Sequence, residues 1–342
     1  MFSAVLGLFS QDLAVDLGTT TTRIYQRGSG LVCVEPTVVA VATDQSGRRQ
    51  VVSVGEQARP LLGRAPRHIE AVQPVRDGAV HDFEVTEALL VHLLRRVHGR
   101  NKLMSPKMVL AVANCCSGME RRAIREACEA AGARQVHLVP RPLAAALGAD
   151  LDVETASGHM VVDIGGGCTE IAVVSKAGVV SAQLEPGGGD GFDRAIADLL
   201  REHHGLLIGA PTAQALKHEL GSAFGAPTTE RRRVLGRCLQ TGMPRGVEVG
   251  AAAVERALAG PVKAISQGIR RAIDQTSAEL ASDIVHRGIV LTGAGANLPG
   301  LEIALRRRTG LAVVRADAPG EAVVRGAGRL LEEYALLRMV AA

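Results

Sequence analysis

Aromatic residues are almost missing from this chain: it has no Trp, two Tyr and five Phe among 342 residues. Its cores must therefore be built from Val, Leu, Ile and Ala, which dominate the 47% hydrophobic content. The same scarcity argues against single-stranded nucleic-acid binding, which stacks bases on aromatic platforms. A net charge of +4 is slight for this length and calls for no polyanionic partner. The six cysteines (Cys33, Cys115, Cys116, Cys128, Cys168, Cys238) show no C-x-x-C spacing and no paired His motif. They read as structural thiols in a reducing cytosol, not as a metal site. The opening residues carry no basic n-region of a secretory signal. The chain is too long for one hydrophobic core, so two lobes are expected.

What is present centres on Val161-Val162-Asp163-Ile164-Gly165-Gly166-Gly167-Cys168-Thr169-Glu170-Ile171-Ala172-Val173-Val174. Two β-branched runs flank an acid and three glycines, which predicts a tight hairpin between buried strands. Consecutive glycines let backbone N–H groups converge without a Cβ in the way, and such a nest binds anions, phosphate above all. Asp163 stands where a magnesium ion bridging phosphates needs an oxygen ligand or an ordered water. A single hairpin of this kind is equally compatible with a plain turn. A second copy changes the weighing: Leu13-Ala14-Val15-Asp16-Leu17-Gly18-Thr19-Thr20-Thr21-Thr22-Arg23-Ile24-Tyr25 repeats strand, Asp-x-Gly, hydroxyl-rich turn, strand. Two such hairpins in related halves suit one polyphosphate, and the duplicated unit is a whole domain.

These paired hairpins resemble the phosphate loops of the actin, sugar-kinase and heat-shock-chaperone ATPase superfamily. Further stretches resemble the MreB family, the bacterial actins: Glu35-Pro36-Thr37-Val38-Val39-Ala40, Glu120-Arg121-Arg122-Ala123-Ile124-Arg125-Glu126, Pro142-Leu143-Ala144-Ala145-Ala146-Leu147-Gly148, Leu216-Lys217-His218-Glu219-Leu220-Gly221-Ser222-Ala223 and Leu291-Thr292-Gly293-Ala294-Gly295-Ala296. The match is colinear over nearly the whole chain. It implies an actin-like α/β fold with two lobes, each built on a ribonuclease-H-type sheet, flanking a nucleotide cleft. The first lobe would span 1–150, with a small subdomain at about 34–78 and a C-terminal helix at about 320–342 returning to it. The second would span 151–320, with a small subdomain at about 186–254.

The resemblance also implies ATP and Mg2+ as ligands. Gly18, Thr19, Thr20 and Thr21 would hold β- and γ-phosphates, joined by Gly165, Gly166 and Gly167. Asp16 and Asp163 would organise the metal through water, Gln214 and Lys217 would reach ribose and base, and Gly293, Ala294, Gly295, Ala296 and Asn297 would hold adenosine. The family usually has Glu at the Gln214 position, and an amide carbonyl still accepts from a ribose hydroxyl. Two departures bear on catalysis. Arg141 stands where the family places the Glu that orients the attacking water, after Pro140 where a second Glu is usual, and Cys168 replaces a hydroxyl. A guanidinium has donors and no acceptor, so slowed hydrolysis is expected. The alternatives are that Arg141 stabilises transition-state charge as an arginine finger, or turns away while Glu120 supplies the carboxylate.

The implied function is ATP-dependent polymerisation into filaments on the inner face of the cell membrane, organising cell shape and cell-wall synthesis with wall-synthesis or morphogenesis proteins as partners. Two alternatives are a nucleotide-locked scaffold and a small-molecule kinase of the same superfamily, which sugar-dependent ADP release would reveal. The resemblance implies membrane contact through Phe2, Val5, Leu6 and Phe9, which share one helical face in the first ten residues, the alternative being a strand or turn packed on the first domain. That stretch is too short to span a bilayer and has no Lys or Arg, so binding would rest on apolar insertion. The resemblance adds Leu103 and Met104, in a polar loop, as a second insertion point, with two side chains folded back on the sheet an equal alternative. Elsewhere, helices are expected at Thr86–His98, Arg121–Ala131, Phe192–His203 and Thr212–Ala223, and at Ala251–Ile273 with an interruption near Pro261. The Arg231–Arg233 run is expected to be a solvated face, and Leu330–Ala342 an apolar helix.

Overall fold

Short runs of β-branched residues form the strands of two sheets with the same plan, in a computed structural model that describes residues 12–44, 46–98, 105–225 and 229–341. The Phe2/Val5/Leu6/Phe9 face and the Leu103–Met104 pair lie outside the described residues. The chain divides into two compact units. One gathers Met1–Ala156, Val174–Val179 and Glu321–Ala342; the other gathers Ser157–Val173 and Val180–Gly320.

In the first unit five strands lie in the order Gln135–Pro140, Lys107–Val112, Leu13–Leu17, Thr21–Gln26, Gly30–Pro36. Leu13–Leu17 pairs antiparallel with Thr21–Gln26 and parallel with Lys107–Val112. Alternation along a strand sends successive side chains to opposite faces. Leu13, Val15 and Leu17 enter a core with Leu89, Leu90 and Leu93 of the helix Phe83–His98. Ala14 and Asp16 therefore face the other way. On that side the helix Ala322–Glu332 lays Gly328 against the ring of Tyr25, the residue paired with Ala14. The same helix crosses Arg141–Gly148 in backbone contact. A Cβ on Gly148 would lie 1.8 Å from the Ala322 carbonyl oxygen, and one on Gly326 would lie 1.9 Å from that of Ala144. Only glycine permits that approach. It fixes the N-terminal end of Arg141–Gly148, and with it Arg141, beside the strand that carries Asp16.

The second unit repeats the order: Gly178–Pro186, Cys168–Ser175, His159–Ile164, Ile289–Thr292, Val313–Arg315. Counted outward from each Asp-bearing strand, the two sheets have the same sequence of neighbours. The core joins Val162 and Ile164 to Phe192 and Ile196 of the helix Gly188–His204 and to Val254 and Leu258 of Ala251–Asp274. A small three-stranded sheet adds Leu206–Leu207, Arg231–Cys238 and Pro244–Gly250.

Several elements differ from expectation. The helix expected from Phe192 begins at Gly188, because the glycine turn is itself its first turn. The Thr212–Ala223 helix is Ala210–Leu220, with Pro211 in its first turn, where proline costs no hydrogen bond. Arg231–Arg233 is exposed, as expected of a solvated face, but it also opens the central strand of the small sheet. Pro261 does not interrupt its helix, which runs unbroken from Ala251 to Asp274. Gly260 precedes it and offers no Cβ for the proline ring to meet, which relieves part of the usual clash. The tail is two helices, Ala322–Glu332 and Tyr334–Val340, parted at Glu333. Among the described residues no helix is long and apolar enough to cross a membrane.

Candidate functional site

In the second unit the glycine turn after Asp163 is held by the start of the next helix. The amide of Gly189 donates to the Gly165 carbonyl (2.9 Å), that of Asp190 to Gly166 (2.8 Å) and that of Gly187 to Gly167 (2.7 Å). A trans peptide holds its N–H opposite its C=O. Carbonyls of Gly165 and Gly166 drawn toward the helix thus send the amides of Gly166 and Gly167 the other way. The result is an outward-facing pair of donors on a buttressed loop, the arrangement that a phosphate oxygen recognises. The buttress needs glycine at 188, where φ is +42° and a Cβ would lie 2.4 Å from the Gly165 oxygen. The Gly187–Asp193 turn is visible in the sequence, but not that its amides are spent on the first loop.

Lys217, on the helix Ala210–Leu220, closes the same corner: its ammonium sits 2.9 Å from Asp193 Oδ1 and donates to the Gly189 carbonyl at 3.0 Å. Burial pushes the Asp193 carboxyl up, against the opposing pull of Lys217. Lys217 is thus tied to the glycine turn, and Gln214, half-buried one turn earlier, shares its helix face. Asp163, almost fully buried, accepts a hydrogen bond from the Thr292 hydroxyl at 3.1 Å on Oδ1. Gly293 follows Thr292 with φ +79°, and a Cβ there would lie 2.3 Å from the Ile164 oxygen. The turn Ala294–Asn297 therefore packs against the end of the Asp163 strand, with Gly295 against the Ile164 side chain and Ala296 buried. Arg315 donates to Asn297 Oδ1 at 3.4 Å. Asp163, the three glycines, Lys217 and the Gly293 turn form one corner of this unit.

The first unit presents the related hairpin with different chemistry. A Cβ on Gly18 would lie 2.7 Å from the Thr21 carbonyl oxygen, so the turn closes only on glycine. Thr19 is buried, and Thr20 carries a buried hydroxyl oxygen without a hydrogen-bond partner. An orphaned hydroxyl in a turn that no Cβ could fill fits a phosphate oxygen. The difference lies at Asp16. In the sheet its parallel neighbour is Ala111, where Asp163 has Thr292. The partner comes instead from the helix Arg141–Gly148. Arg141 Nη1 lies 2.8 Å from Asp16 Oδ1, and its Nη2 donates to the Leu17 carbonyl at 3.2 Å. Arg23, the cross-strand neighbour of Asp16, reaches Oδ2 at 3.8 Å.

The family model for MreB/Mbl protein matches residues 10–339. The chain belongs to the MreB/Mbl family. It is 45% identical to the cell shape-determining protein MreB of Escherichia coli K12 over 334 residues, 97% of this chain and 96% of that protein. It is 37% identical to the cell shape-determining protein Mbl of Bacillus subtilis over 325 residues, 95% of this chain and 97% of that one. Among solved structures, MreB5 of Spiroplasma citri bound to AMPPNP superposes with a TM-score of 0.90 at 26% identity, covering 95% of this chain and 97% of that one. The fold is the actin-like α/β architecture of MreB proteins, with two lobes.

Against that family pattern, three features of the site stand out. Glu120 is not spare: its carboxylate accepts from the amide and hydroxyl of Ser117 at 2.7 Å each, forming the capping box of the helix Gly118–Ala130. The alternative in which it replaces the family Glu therefore loses its carboxylate to the helix cap. Cys168 is buried at the head of its strand, and its carbonyl accepts from the Gly165 amide at 2.9 Å. Finally, the oxygen donors at Asp163 and Thr292 are of the kind Mg2+ accepts, whereas Asp16 already faces two guanidiniums, Arg141 at 2.8 Å and Arg23 at 3.8 Å. The residues around Asp16 do not fit the metal role that the MreB resemblance implies for it. Among the described residues no group of three or more His, Cys, Asp or Glu side chains is disposed to hold a metal.

Proposed function

We propose that this chain is a bacterial actin that binds adenine nucleotide and assembles into filaments on the inner face of the cell membrane, where it organises cell shape and wall synthesis. The observation that carries the nucleotide part is the buttressed Gly165–Gly167 loop, whose carbonyls are spent on Gly187, Gly189 and Asp190 and whose Gly166 and Gly167 amides turn outward. Gly18–Thr21 would add phosphate contacts, and the Gly293–Asn297 turn with Gln214 would receive the nucleoside. Lys217 would act by fixing the glycine turn through Gly189 and Asp193. The cell shape-determining role of the E. coli and B. subtilis relatives and the AMPPNP in the Spiroplasma MreB5 structure support the reading.

A second reading, the nucleotide-locked scaffold, is favoured by Arg141. Hydrolysis needs an acceptor that orients water against the terminal phosphate. The side chain at that place is a guanidinium already committed to Asp16 and Leu17. Phosphate release is therefore expected to be slow, with the ATP-bound polymer long-lived. The nucleotide assignment is tested by calorimetry with ATP on wild type and Asp163→Ala. Wild type should bind, and the variant should lose binding by about tenfold or more, because the buried Thr292 hydroxyl beside the Gly293 turn then loses its acceptor. Equal affinity in the two proteins would refute it.

A further inference from the structure

The two hairpins align residue for residue, Asp16-x-Gly18 to Arg23 against Asp163-x-Gly165 to Glu170, yet their charges are opposed. At Asp163, Oδ1 accepts from the neutral hydroxyl of Thr292. At Asp16 it is the Arg141 guanidinium, 2.8 Å from Oδ1, with Arg23 at 3.8 Å from Oδ2. Arg141 is only 14% exposed at its side chain and Asp16 5%. Little water is left to screen a further cation brought to this carboxylate. The guanidinium is also held in place a second time, by the Leu17 carbonyl at 3.2 Å, and its helix is locked by the Gly148–Gly326 crossing. A divalent ion recruited to Asp16 would have to displace or sit against a fixed positive charge.

We propose that Arg141 supplies beside Asp16 the positive charge that a divalent cation would otherwise bring, so that this chain binds nucleotide phosphates with little dependence on Mg2+. The proposal rests on the nucleotide reading above. A guanidinium suits this role because it stays charged at all working pH values and its fork meets carboxylate and phosphate oxygens alike. With Nη1 on Asp16 and Nη2 on Leu17, it also orders the strand end from which the Gly18 turn starts. The ligand class it selects is thus the metal-free nucleoside di- or triphosphate alongside the magnesium complex.

The test is calorimetry of ADP binding to wild type, Arg141→Gln and Arg141→Glu, each in excess Mg2+ and in excess EDTA, with thermal unfolding confirming that each variant is folded. For wild type the two conditions should differ by less than about threefold, because the protein's own cation remains when the metal is removed. For Arg141→Glu, chelation should weaken ADP by about tenfold or more, since two carboxylates then stand together with only the more distant Arg23 as counter-charge. Arg141→Gln should fall between them. Wild-type affinity that falls by about tenfold or more on chelation, as large as in Arg141→Glu, overturns the proposal while leaving nucleotide binding intact. No binding by wild type in either condition overturns the nucleotide reading itself, and this inference with it.

Discussion

Arg141 turns its guanidinium back onto Asp16 and Leu17, so the position to which the MreB resemblance assigns a water-orienting acceptor carries a donor. The consequence for rate follows from residue chemistry alone. Losing a general base or its equivalent typically costs roughly 10²–10⁴ in rate. Polymerised wild type should therefore release phosphate more slowly than the double change Arg141→Glu, Cys168→Thr at matched polymer mass, as measured by a coupled phosphate assay. Wild-type turnover equal to or above that of the double variant would contradict the slow-hydrolysis reading. Both departures are legible in the sequence as the wrong residue type at a family position. The partner of Arg141 is not. Asp16 and Arg141 are brought together by a parallel strand pairing and a glycine helix crossing, and neither leaves a periodic signal. Asp193 and Thr292 escape a sequence reading for a similar reason: each is recognised only through the residue it touches, Lys217 and Asp163.

Elements are most legible where periodicity and caps agree. The leucines at 89, 90, 93 and 94 mark the buried helix Phe83–His98, and Gly132, at φ +108°, follows the end of Gly118–Ala130. That helix begins three residues before the expected start because Ser117 and Glu120 form a reciprocal cap. The Ser-x-x-Glu pattern is present in the sequence, but there it competes with a catalytic reading of Glu120. Its stability consequence has a sign. Hydrogen bonds from the Ser117 hydroxyl and amide lower the Glu120 carboxyl below its ordinary value. A lowered carboxyl contributes stability that is present above its unfolded value and lost as pH falls through the folded one. Urea unfolding should accordingly show Glu120→Ala less stable than wild type near neutral pH, with the gap closing as pH drops below about 4. Ser117→Ala should cost about 1 kcal/mol, in the range of N-cap losses. A gap between wild type and Glu120→Ala that persists unchanged in acid would contradict the cap assignment. Helix starts at Gly188 and Ala210 are hidden because glycine and proline read as breakers, whereas in a first turn each is at home.

At the scale of the molecule, the duplicated Asp-x-Gly hairpin announces two related sheets, and the sheets share one strand order. The low aromatic content announces aliphatic cores, and both main clusters are built chiefly from Val, Leu, Ile and Ala, with Phe192 in that of the second unit. The charged strand Arg231–Cys238 is hidden because only Val234 and Cys238 along it are buried, which leaves no hydrophobic alternation to read. Membrane attachment belongs to this scale too. Each fully inserted apolar side chain contributes on the order of 1.5–3 kcal/mol, so Phe2, Val5, Leu6 and Phe9 would anchor one protomer weakly while a polymer multiplies the effect. Deleting residues 2–9 should release filaments from liposomes in a flotation assay; undiminished flotation would remove the N-terminal anchor from the account.

If nucleotide drives this chain into filaments, high-speed sedimentation with electron microscopy of the purified protein, with and without AMPPNP, will show it. Filaments should pellet with the nucleotide, and the protein should stay in the supernatant without it. Protein that binds AMPPNP by calorimetry yet stays monomeric at every concentration tested would contradict nucleotide-driven assembly.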